Sequence, residues 1–347
     1  MAAATDAAMP ETNVSQPSPH IRGVLAPVVT PFNVDLSPDR ERFIAHCQWL
    51  LSQNCALAAF GTNSEANSMS ADERMTLLDA LVAAGIDPSR MMPGAGCCSI
   101  TKTVELTAHA VKHGCAGVLM LPPFYYKDIS EEGLYRYFSE VVQRVGDAGL
   151  KIYLYHIPPV AIVGITPKLV ERLLKVYPSA IAGMKDSSGD WNNTKTFLDA
   201  FVETARPART AFDLFVGSES FLLANMRNGG AGTISATANV NPAAIHELYQ
   251  KCSGVRRGER RGDRKAVASA VSADLDLEAL QARINVVREV FSNKKFPSMI
   301  AALKQAIAMY TNDPEWTRVR PPLIELTREQ EKTLAAELRA IGFRWQQ

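Results

Sequence analysis

IYLYHIPPVAIVGITPKLVERLLKVYPSAIAGMKD, residues 152–186, sets two short apolar runs on either side of an amphipathic stretch. The first run, 152–156, is IYLYH; the second, 180–185, is AIAGMK. Neither alternates apolar with polar residues, as a strand with one wet face does. Both therefore read as buried parallel strands. Between them, 166–176 carries Pro167 in its first turn, where a helix has no use for the missing N–H. Strand, helix and strand in that order make one βαβ unit.

The unit recurs in both directions along the chain. Further apolar runs fall at 24–30, 56–60, 91–96, 116–121, 212–217 and 231–236, which brings the series to eight. Helical stretches separate them at 38–53, 70–84, 99–113, 130–145, 192–204 and 219–227. In the first of these, Phe43, Ile44, Cys47, Leu50 and Leu51 follow a helical period. Ser70 with Glu73 is a capping-box pattern, and Gly114 is placed to end a helix. Eight such alternations predict a (β/α)8 TIM barrel. The rival, an open doubly wound sheet, often carries a glycine-rich turn after its first strand, and Val29-Thr30-Pro31-Phe32 offers none. Beyond Val240 only helical patterns remain, at 242–252, 266–292, 299–309 and 327–342. The expected organisation is a disordered tail at 1–20, a TIM-barrel catalytic domain at 21–240 and a C-terminal helical region at 241–347.

The 347 residues are 47% hydrophobic and 21% charged, with a formal net charge of +1. Near-neutral charge argues against a nucleic-acid or polybasic membrane partner. The basic stretch 254–265, GVRRGERRGDRK, has no interleaved aromatics and reads as solvated. No apolar run reaches the ~18–20 residues that span a bilayer, and residues 1–20 lack the basic and apolar regions of a secretory signal. The six cysteines form no metal-type pair and suit reduced thiols in a cytoplasmic protein. His109 and His113 stand one helical turn apart, but no acid follows at ligand spacing, so no metal site is expected.

Barrel enzymes carry their chemistry where the strands end. Lys185 ends the run AIAGM, where apolar surroundings strip away the solvent that its charged form needs. A neutral amine there can attack a ketone and form a Schiff base, with no cofactor required. The other reading is a structural lysine paired with Asp186 or another carboxylate. Gly61-Thr62-Asn63 can present N–H groups and a hydroxyl to a carboxylate, or simply lead into the next helix. Tyr155, at the end of the preceding strand, is either a proton shuttle or a packed core tyrosine. Tyr125 and Tyr126 are costly to leave exposed and should pack on a substrate or a neighbouring subunit.

Taken together, GVLAPVVTPF, FGTNSEA, MLPPFYYKDISEEGLYRYF, IYLYHIP, AGMKDSSGD and GTISATANV resemble the dihydrodipicolinate synthase / N-acetylneuraminate lyase family of Schiff-base aldolases. The resemblance runs from about residue 21 to 340. It implies that Lys185 is the Schiff-base lysine and Tyr155 the proton-shuttling tyrosine. It implies that Thr62 and Asn63 grip the carboxylate of pyruvate, with Thr62 in the proton relay and Tyr126 completing that relay from a second subunit. It places a main-chain carbonyl at Ile234 against the keto acid, and implies a homodimer or homotetramer. Two departures stand out. Ser64 replaces a family glycine, adding a Cβ where the turn is expected to need an unusual φ. Val160 stands where dihydrodipicolinate synthases carry the arginine that receives the aldehyde's carboxylate.

The expected function is a lyase that cleaves or forms a 4-hydroxy-2-oxo acid, with pyruvate and an aldehyde as its small-molecule partners. Ser218 and Glu219 are candidates to hydrogen-bond the hydroxyls of a polyol chain, the alternative for Glu219 being a cap on the next helix, and Gly217 is a further substrate-binding candidate. The alternatives are a 2-keto-3-deoxy sugar-acid dehydratase, a 4-hydroxy-tetrahydrodipicolinate synthase and a non-catalytic keto-acid-binding paralogue.

Overall fold

The structure, a computed structural model, describes residues 20–202, 212–260 and 266–345. The expected tail, His20 excepted, and the side chains of the basic stretch at 255–265 fall outside them. Seven parallel strands form one sheet. They are β1 (Gly23–Ala26), β2 (Ala56–Leu57), β3 (Val118–Met120), β4 (Ile152–His156), β5 (Ile181–Asp186), β6 (Asp213–Val216) and β7 (Gly232–Ile234), in the spatial order β2-β1-β7-β6-β5-β4-β3.

The eighth run, 91–96, joins the two edges of that sheet without being a regular strand. Met92 and Gly94 donate to the carbonyls of Leu57 and Ala59 at 2.8 and 2.7 Å. Ala95 donates to Leu119 O at 2.9 Å, and Leu119 donates back to Pro93 O at 2.9 Å. The barrel is thereby closed. Pro93 has no N–H to extend the ladder, and a Cβ on Gly94 would lie 2.2 Å from Phe60 O, so only glycine admits this approach.

The helices between the strands are α1 (Arg40–Ser52), α2 (Ala71–Ala83), α3 (Ile100–Lys112), α4 (Glu131–Val145), α5 (Pro158–Ala161), α6 (Pro167–Val176), α7 (Trp191–Phe201) and α8 (Leu222–Arg227). Asp39, Ser70, Ser99, Ser130 and Thr166 each cap a helix by accepting an N–H of its first turn. Each such cap contributes about 1 kcal/mol. The capping box at Ser70 and Glu73 is formed as the sequence predicts.

Both faces of the staves are buried, which explains their lack of alternation. Leu25, Leu119, Tyr153, Tyr155, Phe215 and Ile234 pack together inside the barrel. Their strand neighbours, Val24, Met120, Leu154, Met184 and Leu214 among them, pack outward under the helices. A β-bulge shifts the register of β4 against β5, from Ile152 opposite Ile181 to Tyr153 opposite Gly183. That single-residue shift sets Tyr155 opposite Lys185.

Four further helices follow among the described residues: α9 (Pro242–Arg260), α10 (Ala266–Ser292), α11 (Met299–Thr311) and α12 (Arg328–Ala340). Every residue from Ala301 to Ala308 in α11 is buried. This helix packs with Phe291, Trp316, Leu334 and Leu338 against Val29, Ala236 and Val240, which follow β1 and β7. The C-terminal helices therefore buttress the end of the barrel at which the strands finish. Among the described residues, no helix is long and apolar enough to cross a membrane.

Candidate active site

Three polar side chains meet where the staves end. Lys185 Nζ donates to the Tyr155 hydroxyl at 3.2 Å and lies 4.3 Å from the centre of its ring. The same hydroxyl is 3.3 Å from Thr62 Oγ1. Lys185 and Tyr155 are both buried. Among the described residues, no carboxylate lies within salt-bridge distance of Lys185. Asp186, the expected structural partner, is turned away. It accepts the Ser188 N–H and the side chains of Ser188, Asn193 and Thr194. The ion-pair reading of this lysine therefore finds no carboxylate partner among the described residues.

The segment after β2 folds into a short 3-10 turn, Thr62–Ser64. The turn closes through Ser64, Glu65 and Ala66, whose N–H groups donate back to Gly61 and Thr62 carbonyls. The N–H groups of Thr62 and Asn63, at its start, have no hydrogen-bond acceptor among the described residues. Both residues line a cavity of about 320 Å³ together with Tyr155 and Lys185. Two free amides beside a buried lysine suit a small carboxylate.

Ser64 does not strain this turn as expected. The left-handed residue is its neighbour Glu65, at φ 57°. Ser64 instead braces the loop, its Oγ accepting the Gly61 N–H and its carbonyl accepting Thr30 Oγ1 at 2.7 Å. A left-handed non-glycine residue costs roughly 1–2 kcal/mol, and Glu65 is held there by two bonds. Lys304 Nζ of α11 and the Arg320 N–H donate to its carboxylate, each at 2.8 Å. Burial pushes the Lys304 amine down to about 8, against the opposing pull of Glu65.

Gly217 and Ser218 also line the cavity, at the end of β6. Glu219 does not. It is 1% exposed, accepting the hydroxyls of Ser235 and Thr237 and Nη1 of Arg288. Its carboxylate therefore cannot reach a polyol in this arrangement. Ile234 is fully buried, in register with Leu25, and its side chain is not among the lining residues. Tyr125 and Tyr126 stack edge to face on the loop after β3, and Tyr126 is 74% exposed, away from Lys185. Within one chain the tyrosine expected to complete the relay is absent from the cavity.

Val160 of α5 stands at the cavity's exposed side. Its loop is fixed by His156, whose Nδ1 accepts the Ile165 N–H at 2.9 Å. Burial lowers the affinity of this imidazole for a second proton. Arg288 reaches the cavity from α10 without any signal in the sequence; a long helix outside the strand–helix repeat hides which of its residues face the barrel mouth.

His109 and His113 acquire an acid that spacing along one helix could not reveal. Asp79 of α2 approaches both imidazoles, at 2.8 and 2.7 Å. This group lies on the outer helical layer, apart from Lys185. A larger cleft, about 580 Å³, is bordered by Asn241, Glu247, Arg283 and Phe343, and holds none of the residues above.

The model of the dihydrodipicolinate synthetase family matches residues 20–341. An uncharacterised DapA-like lyase of Chloroflexus aurantiacus is 30% identical over 91% of this chain and 95% of its own. Dihydrodipicolinate synthase from Agrobacterium tumefaciens superposes with a TM-score of 0.77 at 30% identity, covering 93% of this chain and all of the other. A prophage protein of the same family from E. coli K12, solved in complex with pyruvate, gives 0.73 at 26% identity, over 93% of this chain and 99% of the other.

Proposed function

This chain belongs to the dihydrodipicolinate synthetase family, and on that premise we propose that it is a Schiff-base lyase that splits a 4-hydroxy-2-oxo acid into pyruvate and an aldehyde, or joins them. The observation that carries this reading is the contact chain Lys185–Tyr155–Thr62 inside one cavity. The pyruvate complex of the E. coli relative supports pyruvate as the shared half.

In the proposed course, Thr62 and Asn63 hold the acid's carboxylate on their free amides. The Lys185 amine adds to the C2 carbonyl, and the carbinolamine loses water to give an imine. The imine draws electrons from C3. Tyr155, its proton relayed through Thr62, takes the proton of the C4 hydroxyl. The C3–C4 bond breaks, the aldehyde leaves, and the electron pair rests in an enamine on Lys185. Protonation at C3 and hydrolysis release pyruvate and restore the lysine. Tyr126, too exposed to act within its own chain, completes the relay from a second subunit in this reading.

Val160 offers no charge to an aldehyde's carboxylate, so a carboxylate-bearing aldehyde such as aspartate semialdehyde would need its cation from elsewhere in the cavity. A panel of 4-hydroxy-2-oxo acids and sialic acid, read by pyruvate release, tests the reaction class. Release of pyruvate is expected. Loss of water from the acid with no pyruvate formed identifies a dehydratase instead.

A further inference from the structure

Arg288 is a cation in the cavity that none of these steps employs. It comes from α10, far along the chain from the strand ends that carry Lys185, Tyr155 and Thr62. Its side chain is 20% exposed, and it lines the same cavity. Of the described residues lining that cavity, Lys185 and Arg288 are the two basic ones. Lys185 is committed to the carbonyl, which leaves Arg288 for another part of the molecule.

The guanidinium is held from behind. Its Nη1 donates to Glu219 Oε2 at 2.8 Å and reaches Ser235 Oγ at 3.4 Å. Glu219 is itself fixed by Ser235 and Thr237, so its charge is shared among three donors and its position is set. Nη1 is the one guanidinium nitrogen of Arg288 with a hydrogen-bond partner among the described residues. An arginine presents five N–H groups in a planar fork, and those on Nε and Nη2 remain for a ligand. The competing anion of the cavity, Asp186, already accepts four bonds from Ser188, Asn193 and Thr194.

We infer that Arg288 receives an anionic oxygen group, a carboxylate or a phosphate, at the end of the substrate remote from the imine. A planar fork aimed by a buried carboxylate is suited to such groups. With Val160 uncharged, the arginine supplies anion recognition from the C-terminal helices instead of from the loop after β4. This inference rests on the lyase reading, because it concerns the far end of an acid held on Lys185.

The test uses borohydride trapping of 2-oxo acids on the full chain, with half-saturating concentration as the readout. One arm compares 2-oxoadipate with 2-oxohexanoate, which lacks the terminal carboxylate. The other compares a 2-keto-3-deoxy sugar acid with and without its terminal phosphate. In at least one arm the acid with the terminal anionic group is expected to half-saturate at a concentration about tenfold lower, and the responding arm separates carboxylate from phosphate. Arg288→Gln, which keeps a donor for Glu219, should abolish that preference, and Arg288→Lys should restore part of it. If Arg288→Gln does not fold, the pair Arg288→Met with Glu219→Gln removes both charges together. Acids with the terminal anionic group that trap no better than their partners without it, or a preference that survives loss of the arginine charge, overturn the assignment. Failure to trap pyruvate itself overturns the lyase reading beneath it.

Discussion

Lys185 and Tyr155 are register partners on adjacent parallel strands, and the lysine donates to the tyrosine hydroxyl at 3.2 Å. The pairing depends on the bulge between β4 and β5. Without that one-residue shift, Tyr155 would oppose Met184, whose side chain packs outward under the helices. The local irregularity of the barrel is thus what brings the lysine amine to the tyrosine hydroxyl.

Tyr155→Phe should separate imine formation from bond cleavage. The ring still packs inside the barrel, but the relay to Thr62 loses its middle member. Pyruvate release is expected to fall by roughly 10²–10⁴-fold, the usual contribution of a positioned acid–base group. Assay of pyruvate release on the folded variant checks this; near-normal turnover would remove Tyr155 from the relay.

Tyr126→Phe addresses the second subunit. The residue is three-quarters exposed in the single chain, so losing its hydroxyl should leave the monomer's stability within about 0.5 kcal/mol of the parent. Turnover should nevertheless drop at least tenfold. Equal turnover would place Tyr126 outside the chemistry.

Lys304→Met tests the brace behind the carboxylate turn. It leaves Glu65 buried and without its cation, a defect that costs about 3–5 kcal/mol. Lys304→Met combined with Glu65→Gln should recover much of that loss. Urea unfolding of both variants measures it, and a single variant as stable as the parent would contradict the brace.

His46 predicts an acid-side loss of stability. Burial pushes its imidazole down to about 4 in the fold, while an unfolded histidine titrates near 6.5. Between those values the unfolded chain binds a proton that the folded chain refuses. Stability therefore falls as pH drops from about 6.5 to about 4, by about 3 kcal/mol in full. His46→Gln, which can still face Asn239, should flatten that slope in unfolding measured at several pH values. An unchanged slope would assign the loss to other groups.

Much of the barrel was legible because each stave is a continuous apolar run and each helix begins with a readable cap. That Lys185, Tyr155 and Thr62 meet in one cavity was legible because each ends a stave or begins the loop after one. What escaped were relations between distant segments. The run 91–96 gave no hint that Pro93 and Gly94 reduce it to a few bridging bonds. Ser64 drew attention as the strained residue, yet the left-handed residue is Glu65, held by Lys304 more than two hundred residues away. Glu219 looked like a substrate contact because it follows β6. It is buried because Ser235, Thr237 and Arg288 converge on it from other elements. Asp79 joins two histidines across a helix pair for the same reason.

The bond between pyruvate C2 and Lys185 Nζ is the central feature of the proposed course. The protein incubated with pyruvate and borohydride should gain a single reduced adduct by mass, located on Lys185 by peptide mapping. Lys185→Ala should gain none. A parent protein that traps nothing, or an alanine variant that still traps pyruvate, would contradict it.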